Sequence, residues 1–249
     1  MDLALNGKIA VVTGAGSGIG AAIAGELAKA GCAVYLGDVN VEAAARAAAS
    51  LGGEARALEM DVGDPRAATR AMQRIAAERG RIDILVNNAG ILTTGPVIDA
   101  AIEDWDRVCR VNLSGVFYCT KAVLPWMLER RSGKIVNMAS VSAARGGGAF
   151  GNVLYGATKA GVVALTKGFA RELAPFGINV NAIAPAVAET GMTSSLLTPE
   201  RRRAVLASIP LGRLATPEEI ARIAAILASD VSRYVTGETI AVDGGYLTR

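Results

Sequence analysis

The residues best equipped for chemistry in this 249-residue chain are Tyr155 and Lys159, within Tyr155-Gly156-Ala157-Thr158-Lys159. Small and apolar residues recur at helical spacing from Asn152 to Ala174, which predicts a helix there. Residues four apart share a helix face, so the phenol and the ammonium project as neighbours. A free phenol has a pKa of about 10 and is a poor base at neutral pH, but a cation close by favours the phenolate. Lowering the pKa by roughly two to three units takes about 3 to 4 kcal/mol, which a fixed ammonium and a second bound cation could supply together. Tyr and Lys at this spacing also occur as an ordinary amphipathic pair, so the rest of the chain must decide between chemistry and packing.

The chain contains no histidine, which removes Ser-His-Asp and Cys-His catalysis and His-ligated metal sites. Any acid or base is therefore Tyr, Lys, Asp, Glu or Cys. Cys32, Cys109 and Cys119 lack metal-ligand spacing and lie among apolar residues, so no metal site is expected and buried thiols in a reducing cytoplasm are. With 26 basic and 23 acidic residues there is no basic stripe for a phosphate backbone, and nucleic acid is not expected as a partner. Arg201-Arg202-Arg203 follows Thr198-Pro199-Glu200, a helix start, and reads as a solvated helix face. Met1 to Gly7 lacks the pattern of a signal peptide, and no apolar stretch reaches membrane-spanning length; a soluble cytoplasmic protein without membrane contact is expected. Apolar residues at 51% and charged residues at 20% suit a largely buried sheet covered by helices, and one domain over 1–249 is expected.

The elements that must position the pair read in order. Lys8 to Thr13 is a short apolar strand, followed by the glycine turn Thr13-Gly14-Ala15-Gly16-Ser17-Gly18-Ile19-Gly20 and an Ala-rich helix ending at Gly31. Such a turn lets backbone approach a pyrophosphate at the positive end of a helix. The next strand, Ala33 to Gly37, ends in Asp38, about where a dinucleotide fold sets a carboxylate against the adenosine ribose. Short apolar strands continue to alternate with helices, which predicts an α/β fold with a parallel sheet buried on both faces. Ligands then bind at the carboxyl ends of the strands. Asp61, Asn87-Asn88-Ala89-Gly90, Ser140 and the stretch Pro185 to Thr190 fall at successive strand ends and are expected to converge on one cleft.

Thr13-Gly-x-x-x-Gly18-x-Gly20, Asn88-Ala89-Gly90, Asn112 in Val111-Asn112-Leu113, Ser140 and Tyr155-x-x-x-Lys159 together resemble the short-chain dehydrogenase/reductase family. The resemblance runs from Lys8 to the Val242-Asp243-Gly244-Gly245 segment. It implies a single-domain Rossmann fold, a doubly wound seven-stranded parallel sheet with helices on both faces, a nicotinamide dinucleotide, and alcohol/ketone interconversion. It further implies that Gly14, Ser17, Gly18, Ile19 and Gly20 hold the pyrophosphate, that Asp61 and Val62 meet the adenine, and that Asn88 and Gly90 line the adenosine side. Pro185, Val187 and Thr190 would lie at the nicotinamide. Tyr155 would be the acid/base, Lys159 would hold the ribose and depress the phenol's pKa, Asn112 would hold a water leading to solvent, and Ser140 would stabilise the developing oxyanion. Asp38, with no basic residue beside it in the turn or after it at Val39 and Asn40, implies NAD over NADP.

Two departures stand out. Ala186 follows Pro185 where the family usually has glycine, and the interval from Ser140 to Tyr155 is about two residues longer than usual, which makes Ser142 a rival to Ser140. The extra stretch, Arg145 to Asn152, reads as either a pocket wall or a surface turn. Residues 189–208 resemble the family's mobile lid, and helices around Trp105 to Glu129 and Asn152 to Ala174 resemble its subunit-pairing helices, so a homotetramer is implied. The leading expectation is an NAD-dependent dehydrogenase of a polyol, sugar derivative or similar small alcohol. The alternatives are a 3-oxoacyl-carrier-protein reductase of the same family and, remotely, a non-catalytic dinucleotide-binding protein. On substrate polarity the residues divide: Leu92, Phe150 and Leu154 suit an apolar substrate, Arg145 and Asn152 a polar one.

Overall fold

Apolar runs too short for helices and bounded by Gly, Asp and Asn become the strands of one sheet. The computed structural model describes residues 3–194 and 196–248. Residues 1 and 2 of the Met1 to Gly7 start, residue 195 of the lid and residue 249 at the end of the expected domain lie outside the described residues. In chain order the main elements are β1 (Ile9–Thr13), α1 (Gly18–Lys29), β2 (Ala33–Asp38), α2 (Val41–Leu51), β3 (Arg56–Glu59), α3 (Pro65–Arg79) and β4 (Ile84–Asn87). Then come α4 (Ile102–Cys109), α5 (Gly115–Arg130), β5 (Gly133–Met138), α6 (Ser142–Arg145), α7 (Val153–Leu173) and β6 (Ile178–Pro185). The short α8 (Gly191–Ser194), α9 (Pro199–Ser208), α10 (Pro217–Leu227) and β7 (Thr239–Val242) complete the order.

The seven strands pair in parallel in the order β3-β2-β1-β4-β5-β6-β7. Alternate residues of each strand serve opposite faces. Ala10, Val12, Val34, Leu36 and Val86 pack with Ile23 and Leu27 of α1 and Ile220 and Leu227 of α10. Val11, Tyr35, Leu85, Ile135 and Val180 pack with Met72 and Ile75 of α3, Val123 and Met127 of α5, and Ala170 and Leu173 of α7. This explains the unbroken apolar runs: both faces of the strands are covered. Order reverses between β1 and β4, and the cleft opens at their carboxyl ends.

Helix starts follow the sequence closely. Asp64, Asn152, Thr198 and Thr216 each accept a first-turn amide, and Thr216 with Glu219 forms a full capping box. The stretch expected to be helical around Trp105 to Glu129 is instead α4 and α5 joined by a π-helical turn over Arg110–Ser114. Of the three cysteines expected to be buried, Cys32 and Cys119 are, and Cys109 is half-buried.

Candidate active site

The glycine turn is held open from outside. Gly14 and Gly18 take left-handed φ values of 63° and 55°, and a Cβ on Gly20 would collide with the Gly14 carbonyl. The Asn88 amide group donates to the carbonyls of Thr13 and Gly14, both at 2.9 Å, while Thr13 Oγ1 accepts from the amides of Asn88 and Ala89 at 3.0 Å. Asn88 therefore fastens the strand end after β4 to the turn after β1. Ser17 opens α1 without bonding its hydroxyl back to the helix, so the first-turn amides of α1 face the cleft unspent. At the end of β2 the Asp38 carboxylate accepts from the Gly16 amide and from the Asn40 amide, each at 2.9 Å.

All thirteen positions expected to bind a cofactor outside the Tyr155/Lys159 pair, together with Ser140, Tyr155 and Lys159, line one cleft of about 390 Å³. Asn112 does not. It is fully buried; its Oδ1 accepts from the Ile91 amide at 2.8 Å and its Nδ2 donates to the Ile91 carbonyl at 2.9 Å. The side chain thus clamps the loop after β4, in which a Cβ on Gly90 would come within 3.6 Å of Lys159 Nζ.

Tyr155 and Lys159 stand one turn apart on α7, and the ammonium lies 5.7 Å from the centre of the phenol ring. Lys159 is 4% exposed, and its Nζ donates to the Met138 carbonyl at 2.6 Å. Burial lowers its pKa from 10.5 to about 8. The Tyr155 pKa is raised, chiefly by burial, with the hydrogen bond from Ser140 drawing it back. In the protein alone, then, the phenol is not depressed as expected: burial outweighs the hydrogen bond from Ser140, and burial also makes Lys159 resist charging.

Ser140 Oγ reaches the phenol and accepts from the Ser142 amide at 3.1 Å. Ser142 points to the Gly148 turn, where a Cβ would stand 2.8 Å from its Oγ. The stretch from Arg145 to Asn152 packs on the helix that carries the pair, since a Cβ on Gly156 would collide with the backbone of Gly146 and Gly147. Asn152 caps α7, accepting from Leu154 and Tyr155 amides, and takes a hydrogen bond from Thr93 Oγ1 at 2.7 Å. The methyl of Ala186 is accommodated on the cleft wall, where its amide donates to the Val242 carbonyl at 3.3 Å.

Sequence reasoning missed Tyr246, which enters the cleft from the C-terminal tail and lies under the Arg145 guanidinium at 4.9 Å. No local pattern marks it, since its neighbours come from distant segments. Also missed was a buried polar chain, in which Asn87 Nδ2 donates to Asn137 Oδ1 at 2.9 Å and Asn137 Nδ2 to Thr166 Oγ1 at 2.9 Å, tying α7 to the sheet. Among the described residues no group of His, Cys, Asp or Glu is arranged to hold a metal ion, and no helix is long and apolar enough to cross a membrane.

A family model described as enoyl-(acyl carrier protein) reductase matches residues 14–247. The 3-oxoacyl-[acyl-carrier-protein] reductase FabG of Thermotoga maritima is 43% identical over 245 residues, 97% of this chain and 98% of that protein. The chain belongs to the short-chain dehydrogenase/reductase family. D-threitol dehydrogenase of Mycolicibacterium smegmatis is likewise 43% identical, over 98% of this chain and 95% of its own. Among solved structures, a gluconate 5-dehydrogenase from Burkholderia cenocepacia in complex with NADP and tartrate superposes with a TM-score of 0.94 at 36% identity, covering 100% of this chain and 98% of that one. As a short-chain dehydrogenase/reductase the protein is an oxidoreductase of alcohols and ketones that uses a nicotinamide dinucleotide. The cleft fits that group: the turn offers unspent amides where a Cβ at Gly20 would not fit, and a buried ammonium with a single carbonyl partner retains donors for ribose hydroxyls.

Proposed function

We propose that the protein interconverts a secondary alcohol and its ketone, with Tyr155 as acid/base and NAD as the preferred dinucleotide. The observation that carries this is the Ser140–Tyr155–Lys159 constellation on one wall of a cleft whose other end is the glycine turn. Gly14, Ser17, Gly18, Ile19 and Gly20 would hold the pyrophosphate, Asp38 the adenosine ribose, Asp61 and Val62 the adenine, and Lys159 the other ribose. Pro185, Val187 and Thr190 would face the carboxamide end. The bound dinucleotide supplies hydride chemistry. In oxidation Tyr155 Oη takes the hydroxyl proton, and in reduction it returns one to the carbonyl oxygen. Ser140 donates to that oxygen as charge develops on it. Asn88 positions the turn, and Asn112, through Ile91, positions Gly90 beside the lysine. The segment 189–208 acts as a lid, with Val205 and Leu206 of α9 packing on the cluster that contains Val141 and Tyr246.

The NAD preference rests on the Asp38 carboxylate, fixed by two backbone amides. The NADP bound in the gluconate 5-dehydrogenase neighbour is the counter-indication. A second reading, 3-oxoacyl-carrier-protein reductase, is favoured by the names of several relatives at 43% identity. Against it stands Phe176, 39% exposed beneath the Arg131 guanidinium, where reductases of carrier-protein substrates often carry a basic residue. Exposed Ile102 and Trp105 on α4, Phe117 on α5 and Val153 on α7 support a homotetramer, and the buried Cys32 and Cys119 thiols suit the cytoplasm.

Absorbance of NADH over a panel of secondary alcohols and ketones, including a 3-oxoacyl thioester with NADPH, tests the reading. Tyr155→Phe should lower turnover at least about a hundredfold while the protein stays folded. Ordinary turnover by a folded Tyr155→Phe protein would remove Tyr155 from the reaction.

A further inference from the structure

Beyond Ser140 and Tyr155 the cleft continues to a second end, walled by Leu92, Val141, Ala149, Phe150, Met192 and Tyr246. Apart from the hydroxyls of Ser142 and Tyr246, the polar side chains that could have served a charged or many-hydroxyl substrate there are committed elsewhere. Asn152 Oδ1 accepts from Thr93 Oγ1 and from two amides of its own helix, and its Nδ2 donates to the Thr94 carbonyl. The Arg145 guanidinium stacks on the Tyr246 ring and is absent from the cleft wall. Glu189 and Arg202 pair with one another at 2.7 Å, likewise off the wall. Thr193 Oγ1 donates to the Ala188 carbonyl at 2.7 Å.

Among the described lining residues the charged ones are Asp38, Asp61 and Lys159. The two carboxylates sit at the ends of β2 and β3, and the ammonium is bonded to Met138. None faces the second end. There, Val141, Phe150, Ala186, Val187 and Tyr246 line the wall and pack on Leu197, Val205, Leu206 and Ile209 behind it, so that the insertion, the sixth strand end and the C-terminal tail, backed by the lid, form one apolar box. The tail is braced in place: Asp243 accepts from the Gly245 and Leu247 amides at 2.9 Å, and the Leu211 amide donates to the Gly244 carbonyl at 3.1 Å.

We infer that this box selects a secondary alcohol or ketone whose larger substituent is an uncharged, apolar chain or ring, and that it discriminates against carboxylates and polyols. An unpaired carboxylate buried here would lose its hydration with no cation to replace it, and the several hydroxyls of a polyol would lose water with only the Ser142 and Tyr246 hydroxyls on the wall to replace it. Each methylene placed in the box instead raises affinity roughly three- to fourfold until the space is filled. The inference rests on the reading of Ser140 and Tyr155 as the carbinol-binding pair.

The experiment compares matched ketones: methyl hexyl ketone, its ω-carboxylate analogue of equal chain length, and erythrulose, with methyl ethyl and methyl butyl ketones as a length series. With NADH, methyl hexyl ketone is expected to exceed both polar ketones at least about tenfold in kcat/KM, and the series to climb with length. Ala149→Arg and Phe150→Arg each place a cation in the box and should raise the carboxylate's kcat/KM relative to the neutral ketone at least about tenfold; Ala149 lies on an exposed turn, so that variant does not depend on repacking the cluster. Equal or better use of the carboxylate or erythrulose by the unmodified protein, or a flat length series, overturns the inference while leaving the redox reading intact. If no ketone is reduced, calorimetric binding of the same ketones to the Tyr155→Phe protein with NADH separates the two ideas. Tighter binding of methyl hexyl ketone keeps the apolar box and removes the redox reading, whereas equal or absent binding of all three overturns the box as well.

Discussion

Lys159 donates to the Met138 carbonyl at 2.6 Å, so a 4%-exposed ammonium on α7 faces a peptide oxygen and, among the described residues, no paired carboxylate. A charge kept there destabilises the fold. In the folded protein the group releases its proton near 8, in the unfolded chain near 10.5, so between those values the unfolded state binds more protons and stability rises with pH. Below 8 the whole penalty is present, on the order of 3 kcal/mol.

Lys159→Met should therefore stabilise the cofactor-free protein at pH 7. Part of the penalty is offset by the Met138 carbonyl left without its donor, about 1 to 2 kcal/mol, so a net gain of about 1 to 2 kcal/mol is expected. The gain should shrink as pH rises from 8 towards 10.5, while turnover is lost throughout. Urea unfolding of both proteins at several pH values checks this. A loss of stability at pH 7 would mean that the ammonium is better compensated than its single carbonyl partner indicates.

The two serines separate by where their hydroxyls point. Ser140 reaches the phenol, and Ser142 faces the Gly148 turn. Ser140→Ala should cost roughly 2.7 to 4 kcal/mol in the barrier, as for other donors to a developing oxyanion, and Ser142→Ala should stay within about 1 kcal/mol of the parent. Steady-state kinetics with the best alcohol distinguishes them; the reverse order would assign the oxyanion donor to Ser142.

Gly20 is packed against Gly14, and a single methyl has nowhere to go. Gly20→Ala should push the turn away from α1 and cost about 1 to 3 kcal/mol of stability, the usual range for overpacking. Dinucleotide affinity should fall with it, because the amides of the turn lose their register. Gly168→Ala is the control, since a Cβ there meets nothing within 4 Å. Calorimetry of NAD binding and thermal unfolding should show both effects in the first variant and neither in the second.

Much of this arrangement is legible in the sequence alone. Val11 and Val12 both being apolar announces a strand covered on two faces, and Asn152, Thr198 and Thr216 announce the helices they cap. The spacing of Tyr155 and Lys159 places them on one face of α7. What the sequence hides is of two kinds. A π-helical turn at Arg110–Ser114 changes the helix register by a single hydrogen-bond step, too small to disturb a pattern of period 3.6. Contacts such as Arg145 on Tyr246, or Asn112 on Ile91, join segments whose proximity only the folded chain creates. The pKa of Tyr155 belongs to the same class: spacing reveals the ammonium beside it, but not the burial that raises the phenol's pKa.

Asp38 carries the sharpest prediction about the cofactor. Its Oδ2 is fixed by the Gly16 amide and its Oδ1 by the Asn40 amide, so the carboxylate cannot swing away without losing two hydrogen bonds. A ribose with free hydroxyls can donate to it; a ribose bearing a phosphate brings a second anion to within a few ångströms. At an effective dielectric of about 20 that repulsion is several kcal/mol before screening, and Asp38 is only half-buried, so solvent and salt will reduce it. The neighbouring Val39 is 67% exposed and contributes no compensating charge, and the cation among the described lining residues, Lys159, is held at Met138. A preference for NAD of at least about tenfold in kcat/KM is expected, close to 1.4 kcal/mol. Asp38→Ser with Val39→Arg should narrow or reverse it, by removing the anion and supplying a guanidinium suited to phosphate. Raising the salt concentration should narrow the preference of the parent protein, since the term is electrostatic and partly exposed. Equal use of NADP by the parent at low salt would mean that the carboxylate serves only to hold the Gly16 turn.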